Sequence, residues 1–119
     1  MVRVKNTMRK KTPGNIFASL PRGAAEEIFS CLLEHKGLRI ERIVSRGQLT
    51  PPGEWLEQEG LEWVMVLSGA AKLLLSGEKR ARLLRRGDYM LIPCGRRHRV
   101  TWTDTKKKTV WLAVHYLAR

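Results

Sequence analysis

Gly87-Asp88-Tyr89-Met90-Leu91-Ile92-Pro93-Cys94-Gly95-Arg96-Arg97-His98 is the stretch that decides how this chain is read. Gly87 supplies the free backbone of a tight turn, and Tyr89 to Ile92 is an apolar run of strand length. Pro93 ends that strand because it cannot donate a ladder hydrogen bond, and Gly95 lets the chain reverse. His98 then opens the run His98-Arg99-Val100-Thr101-Trp102, with its imidazole where two strands meet. A histidine held there can ligate a metal or move a proton; a plain hairpin is the alternative.

Similar punctuation runs outward from this stretch. Glu62 to Leu67 reads as a strand broken by Ser68-Gly69, with Ala70 to Leu75 as its hairpin partner before Ser76-Gly77. Arg82 to Leu84, Tyr89 to Ile92, His98 to Thr103 and Thr109 to Tyr116 continue the series. Upstream, Leu38, Ile40, Arg42 and Val44 alternate with Arg39, Glu41 and Ile43, so one face of that strand is well buried. Thr50-Pro51-Pro52-Gly53 is a rigid turn, and Trp55 to Gln58 reads as a short strand. Roughly seven to nine short strands at this spacing make an all-β sandwich or barrel. Ala24 to Glu34 has helical spacing, with Ile28, Cys31 and Leu32 on one side, so a short N-terminal helical segment is expected. Residues 1–13 read as a basic, disordered arm, and residues 14–119 as one domain with its barrel core at about 38–116.

The chain has 119 residues, of which 43% are hydrophobic, enough for one real core. No apolar run reaches the ~18 residues of a membrane-spanning helix, and no signal-peptide core follows the N-terminus, so a cytoplasmic protein is expected. Cys31 and Cys94 lack metal-ligand or disulfide spacing and read as small buried residues. A net charge of +12 raises nucleic-acid binding. The cations are scattered over the tail, the hairpin turns and Lys106 to Lys108, with no recognition helix or stacking platform beside them. Association through the basic tail is therefore a weaker alternative to a solvated surface.

These residues resemble the cupin superfamily, small β-barrels of the jelly-roll type. Gly87, Pro93, Gly95 and His98 match the second cupin motif at every spacing, with Trp102 at its usual asparagine position. Of the first motif, Glu62 and Gly69 keep the second half, whereas its His-x-His half falls on Trp55-Leu56-Glu57 or Leu56-Glu57-Gln58. The resemblance implies a small-molecule pocket inside a single-domain barrel whose specific role is uncharacterised, and a homodimer in which sheet contacts cover exposed strands. The alternative it implies is a metal-dependent or acid/base enzyme of isomerase, lyase or oxygenase type.

The same resemblance implies a metal set of His98, Glu62 and Glu57. Mn, Fe, Ni and Zn are not distinguished by it, although so oxygen-rich a set suits Mn²⁺ or Mg²⁺ better than Zn²⁺. A metal-free pocket is the other reading. Trp55, Gln58, Trp102, Trp111 and His115 are the expected pocket-lining residues. In a regular strand Trp55 and Glu57 share one face, and Leu56 and Gln58 the other, so only one of those acid and amide side chains can point inward. His115 shares its face with Trp111 and Ala113, where it lines the pocket, serves as a fourth ligand, or is a satisfied structural histidine. Nothing supports nucleophilic catalysis: Ser68 and Ser76 sit in turns without a paired histidine.

Overall fold

A computed structural model describes residues 2–5, 12–23 and 25–118. Among the described residues there is no helix, and the strands are β1 (Val2–Lys5), β2 (Ile28–His35), β3 (Leu38–Ser45), β4 (Leu61–Ser68), β5 (Ala70–Leu75), β6 (Arg82–Arg85), β7 (Tyr89–Ile92), β8 (His98–Thr103) and β9 (Thr109–Tyr116). They form a six-stranded sheet in the order β1-β2-β3-β9-β4-β7 and a three-stranded sheet in the order β6-β5-β8. The all-β class read from the turn spacing is observed.

The expected N-terminal helix is instead strand β2, paired antiparallel with β3. A register shift between Cys31 and Leu33 explains the misreading. The bulge interrupts period-2 alternation, so Ile28, Cys31 and Leu32 fall at a spacing that imitates a helix. Val2–Lys5 runs parallel to Ile28–Cys31 as an edge strand, where a disordered arm was expected; residues 6–11 of that arm lie outside the described residues.

Inter-strand register arranges the inner face of the large sheet in rows. Arg39, His115, Glu62 and Ile92 are cross-strand neighbours in the first row. Glu41, Ala113 and Val64 form the next, and Ile43, Trp111 and Val66 the third. The chemistry therefore changes across these three rows, from ionisable to apolar, and turns polar again beyond them, where Ser45 neighbours Thr109 and donates to Glu27. Leu73 and Leu75 of β5 and Leu84 of β6 close the core from the opposite sheet. Burying each such leucine contributes about 2–3 kcal/mol.

Candidate functional site

Backbone hydrogen bonds fix the site before any side chain does. The Leu56 amide donates to the His98 carbonyl at 2.7 Å, and the His98 amide donates back to Leu56 at 3.0 Å. The Gly95 amide donates to the Gln58 carbonyl at 2.9 Å, while Arg96 closes the turn onto Pro93 at 3.1 Å. Gly95 holds φ = 69°, a conformation that costs glycine nothing. The Pro-x-Gly turn thus does two things: it starts β8 at His98, and it clamps the segment carrying Gln58 beside it. Trp55 to Gln58, expected as a short strand, contributes only the single bridge Leu56–His98.

Two imidazole–carboxylate contacts result. His98 Nε2 lies 3.4 Å from Glu62 Oε1, and His115 Nε2 lies 3.0 Å from Glu41 Oε1 and 3.7 Å from Glu62 Oε2. Gln58 donates its side-chain amide to Glu62 Oε1 at 2.8 Å. The two carboxylates and His98 sit deep: Glu41 is 0% exposed, His98 3% and Glu62 7%. Arg39 Nε stands 3.6 Å from Glu41 Oε1, on a side chain still partly in solvent. Together they line one end of a cavity of about 330 Å³, whose other end is walled by Phe29, Ile43, Leu73 and Trp111.

These contacts set the protonation states. His98 Nδ1 is 3.0 Å from the Arg96 carbonyl oxygen, so that nitrogen carries a proton, and Nε2 is directed at Glu62. Burial alone would lower the imidazole pKa, but the Glu62 acceptor, the Arg96 carbonyl and the Glu62 charge outweigh it and hold it above its ordinary value. Burial likewise pushes Glu62 up, yet hydrogen bonds from His98 and Gln58 with the charge of His115 hold it below the usual carboxylate value. Both shifts run toward the charged forms, carboxylate on Glu62 and imidazolium on His98. Glu27, also lining the cavity, has its pKa raised by burial despite accepting the Ser45 hydroxyl at 2.6 Å.

The expected site residues fall into two groups. Glu62, His98, Gln58, Trp111 and His115 all line the cavity. Glu57 reaches its mouth, but its half-exposed carboxylate turns to Arg97 at 3.4 Å and does not join Glu62 and His98. Trp55 and Trp102 do not line the cavity. Trp55 packs its ring beneath the Arg99 guanidinium, 5.8 Å away, and Trp102 faces Lys72 at the same distance. The reason for Trp102 is a bulge. Val100 pairs with Leu73 but Trp102 pairs with Lys72, so Thr101 is the extra residue and the side chains beyond it change face. Thr103, not Trp102, is then buried. Of the cysteines, Cys31 is buried as expected, whereas Cys94 is exposed on the turn; both are free.

Sequence reasoning missed Glu41. The signal was a lone acid between Ile40 and Ile43 on a strand whose facing residue two positions on is apolar. A metal does not suit the site as these residues stand. Among the described residues, no three His, Cys, Asp or Glu side chains have the arrangement of a metal site. The Nε2 atoms of His98 and His115 are directed at carboxylate oxygens, contacts that a proton on nitrogen satisfies.

The comparisons agree with this architecture. No functionally curated protein matches the chain. A provisionally assigned mannose-6-phosphate isomerase from Ralstonia eutropha JMP134 is 52% identical, covering 90% of this chain and 99% of its own, with a TM-score of 0.87. A protein of unknown function from Streptococcus pyogenes (17% identity, 100% and 97% covered, TM-score 0.75) shares the fold. So does a cupin superfamily protein from Desulfitobacterium hafniense DCB-2 (14% identity, 92% and 94% covered, TM-score 0.72). Residues 43–115 match the cupin domain family model, and with the two sheets closing over the Glu62–His98 pocket this chain belongs to the cupin superfamily, as a small jelly-roll barrel of the double-stranded β-helix type.

Proposed function

We propose that this protein binds a small polar metabolite inside the barrel, against the end where Glu62, His98, Glu41 and His115 meet. The observation that carries the reading is that both imidazole–carboxylate contacts open onto one cavity of about 330 Å³. Cavities of that order suit a small organic ligand. Burying ionised carboxylates costs several kcal/mol each, and a core needing only stability would hold apolar side chains there. Retaining them is expected where they meet a ligand.

A second reading is favoured by the opposite shifts of Glu62 and His98. A carboxylate held ionised beside an imidazolium can take a proton from carbon next to a carbonyl and return one to the neighbouring atom, which is isomerase chemistry. The provisional isomerase assignment of the 52%-identical relative supports the same class. No step in it is routed through a metal. The experiment is an NMR fragment screen with small uncharged, cationic and anionic compounds on wild type, His98→Gln and Glu62→Gln. Saturable binding that either substitution weakens at least tenfold is expected. Binding unchanged in both variants, or none in wild type, would overturn the reading.

A further inference from the structure

We infer that the ligand of this barrel is uncharged and unphosphorylated: a small polyhydroxy or hydroxycarbonyl compound whose oxygens bridge the carboxylate end and the Trp111 end. The inference rests on the proposed pocket and narrows what it accepts. Three glutamates line the cavity wall (Glu27, Glu41, Glu62), Glu57 at the mouth is turned to Arg97, and Arg39 is the one lining Lys or Arg among the described residues. Arg39 faces Glu41, its Nε 3.6 Å from that carboxylate and buried without a hydrogen-bond partner among the described residues, so it offers a single guanidinium edge. A phosphate monoester dianion needs several cationic or amide donors converging on it, as bidentate guanidinium forks provide. Here it would meet carboxylates instead.

The net charge of +12 does not reverse this. Charges on the outer surface are screened beyond about 8 Å at physiological salt, so groups in direct contact decide selectivity. A simple cation is not the better alternative, because the Arg39 guanidinium already faces Glu41 and the His98 imidazole, its pKa raised by the Glu62 acceptor and charge, already faces Glu62.

Trp111 supplies the independent observation. It is 4% exposed and lines the cavity, yet its indole Nε1 is buried with no hydrogen-bond partner among the described residues. A buried donor left unsatisfied is costly, and an oxygen acceptor on a ligand would satisfy it. Trp111 and His115 share the inner face of β9, separated by one inward residue, Ala113. A ligand spanning Trp111 and the Glu41–Glu62 carboxylates beside His115 must therefore accept at one end and donate at the other. A hydroxyl does either, and a chain of hydroxyls does both at once.

The test uses the full chain labelled with ¹⁵N, tracking its indole N–H signals, with Trp111 assigned through Trp111→Phe. D-Mannose, D-fructose and D-mannose 6-phosphate are the probes. The neutral sugars should move the Trp111 signal saturably, with the phosphate ester at least tenfold weaker; Trp111→Phe, which keeps an aromatic ring and loses the donor, should weaken sugar binding about tenfold. Phosphate ester binding as tight as that of the parent sugar would overturn the inference. So would saturable binding in the cavity by anionic or apolar fragments with no response to either sugar, which would leave the pocket reading standing. Silence from sugars and fragments alike would overturn both.

Discussion

His115 and Glu41 come from neighbouring strands, β9 and β3, and meet at 3.0 Å, with the carboxylate wholly buried. Breaking a buried pair by removing one partner strands the other charge, at a cost of about 3 kcal/mol. With Arg39 still 3.6 Å from Glu41 to offset part of that charge, His115→Leu alone is expected to lower the unfolding free energy by up to about that amount. Replacing both, as Glu41→Leu with His115→Leu, removes the stranded charge and should recover most of the loss while abolishing ligand binding. Urea unfolding and the fragment screen read the two effects separately. A single variant within about 0.5 kcal/mol of wild type, in the range of an ordinary surface change, would show that the pair carries no such cost.

Glu62 and His98 make stability depend on pH in two directions. His98 has its folded pKa raised, so its contribution is complete below the unfolded value of about 6.5 and is lost as pH rises through the folded value. Glu62 has its folded pKa lowered, so its contribution is present above the unfolded value of about 4.3 and is lost as pH falls through the folded one. The pair therefore stabilises most between about pH 4.5 and 6.5. Urea midpoints measured from pH 4 to 9 should show wild type exceeding His98→Gln by the most near pH 6, with the gap closing toward pH 9. A gap that stays level across that range would mean the imidazole does not titrate against Glu62.

Metal content gives a third check. Because Glu57 is turned to Arg97 and the imidazole Nε2 atoms face carboxylates, tag-free unchelated protein is expected to carry well under one metal per chain. It should stay so after incubation with Mn²⁺, Fe²⁺, Ni²⁺ and Zn²⁺. One equivalent that disappears in the Glu62→Ala/His98→Ala double variant would instead make the pocket a metal centre.

The turns were the legible part of this chain. Glycine and proline act through the backbone, so Gly87, Pro93 and Gly95 announced the β7–β8 hairpin and brought His98 to the pocket. Gly69 is similar: with φ = 83°, a Cβ there would meet the Thr109 hydroxyl at 2.6 Å and the Lys108 carbonyl at 2.7 Å. Two bulges were not legible. Each inserts one residue that leaves no mark in composition, and each reverses the facing of the residues beyond it, turning β2 into apparent helix and Trp102 away from the cavity. Glu41 escaped for another reason: a single acid on an apolar strand is placed only by its partner, and His115 is 74 residues away.

The outer face of the large sheet leads to the last prediction. Trp63 is cross-strand neighbour to Leu91 on one side and Val114 on the other, and Met65 likewise to Tyr89 and Leu112. Tyr89 and Leu91 are 67% and 53% exposed, with the Trp63 and Tyr89 ring centroids 5.5 Å apart. Toward β3 the face reaches a charge at Arg42, cross-strand neighbour of Leu112, whose guanidinium donates to the carbonyls of Ile16 and Ala18. An apolar patch of this continuity calls for cover, and in a chain of net charge +12 an uncharged face is where a second copy meets the least local repulsion. Two copies pairing through Trp63, Tyr89 and Leu91 satisfy both requirements with one self-complementary contact. Light scattering is therefore expected to give twice the 13.7 kDa chain mass, and Leu91→Lys with Tyr89→Lys should reduce it to one chain without unfolding the barrel. A wild-type protein that stays at 13.7 kDa across micromolar concentrations would leave the face without this partner.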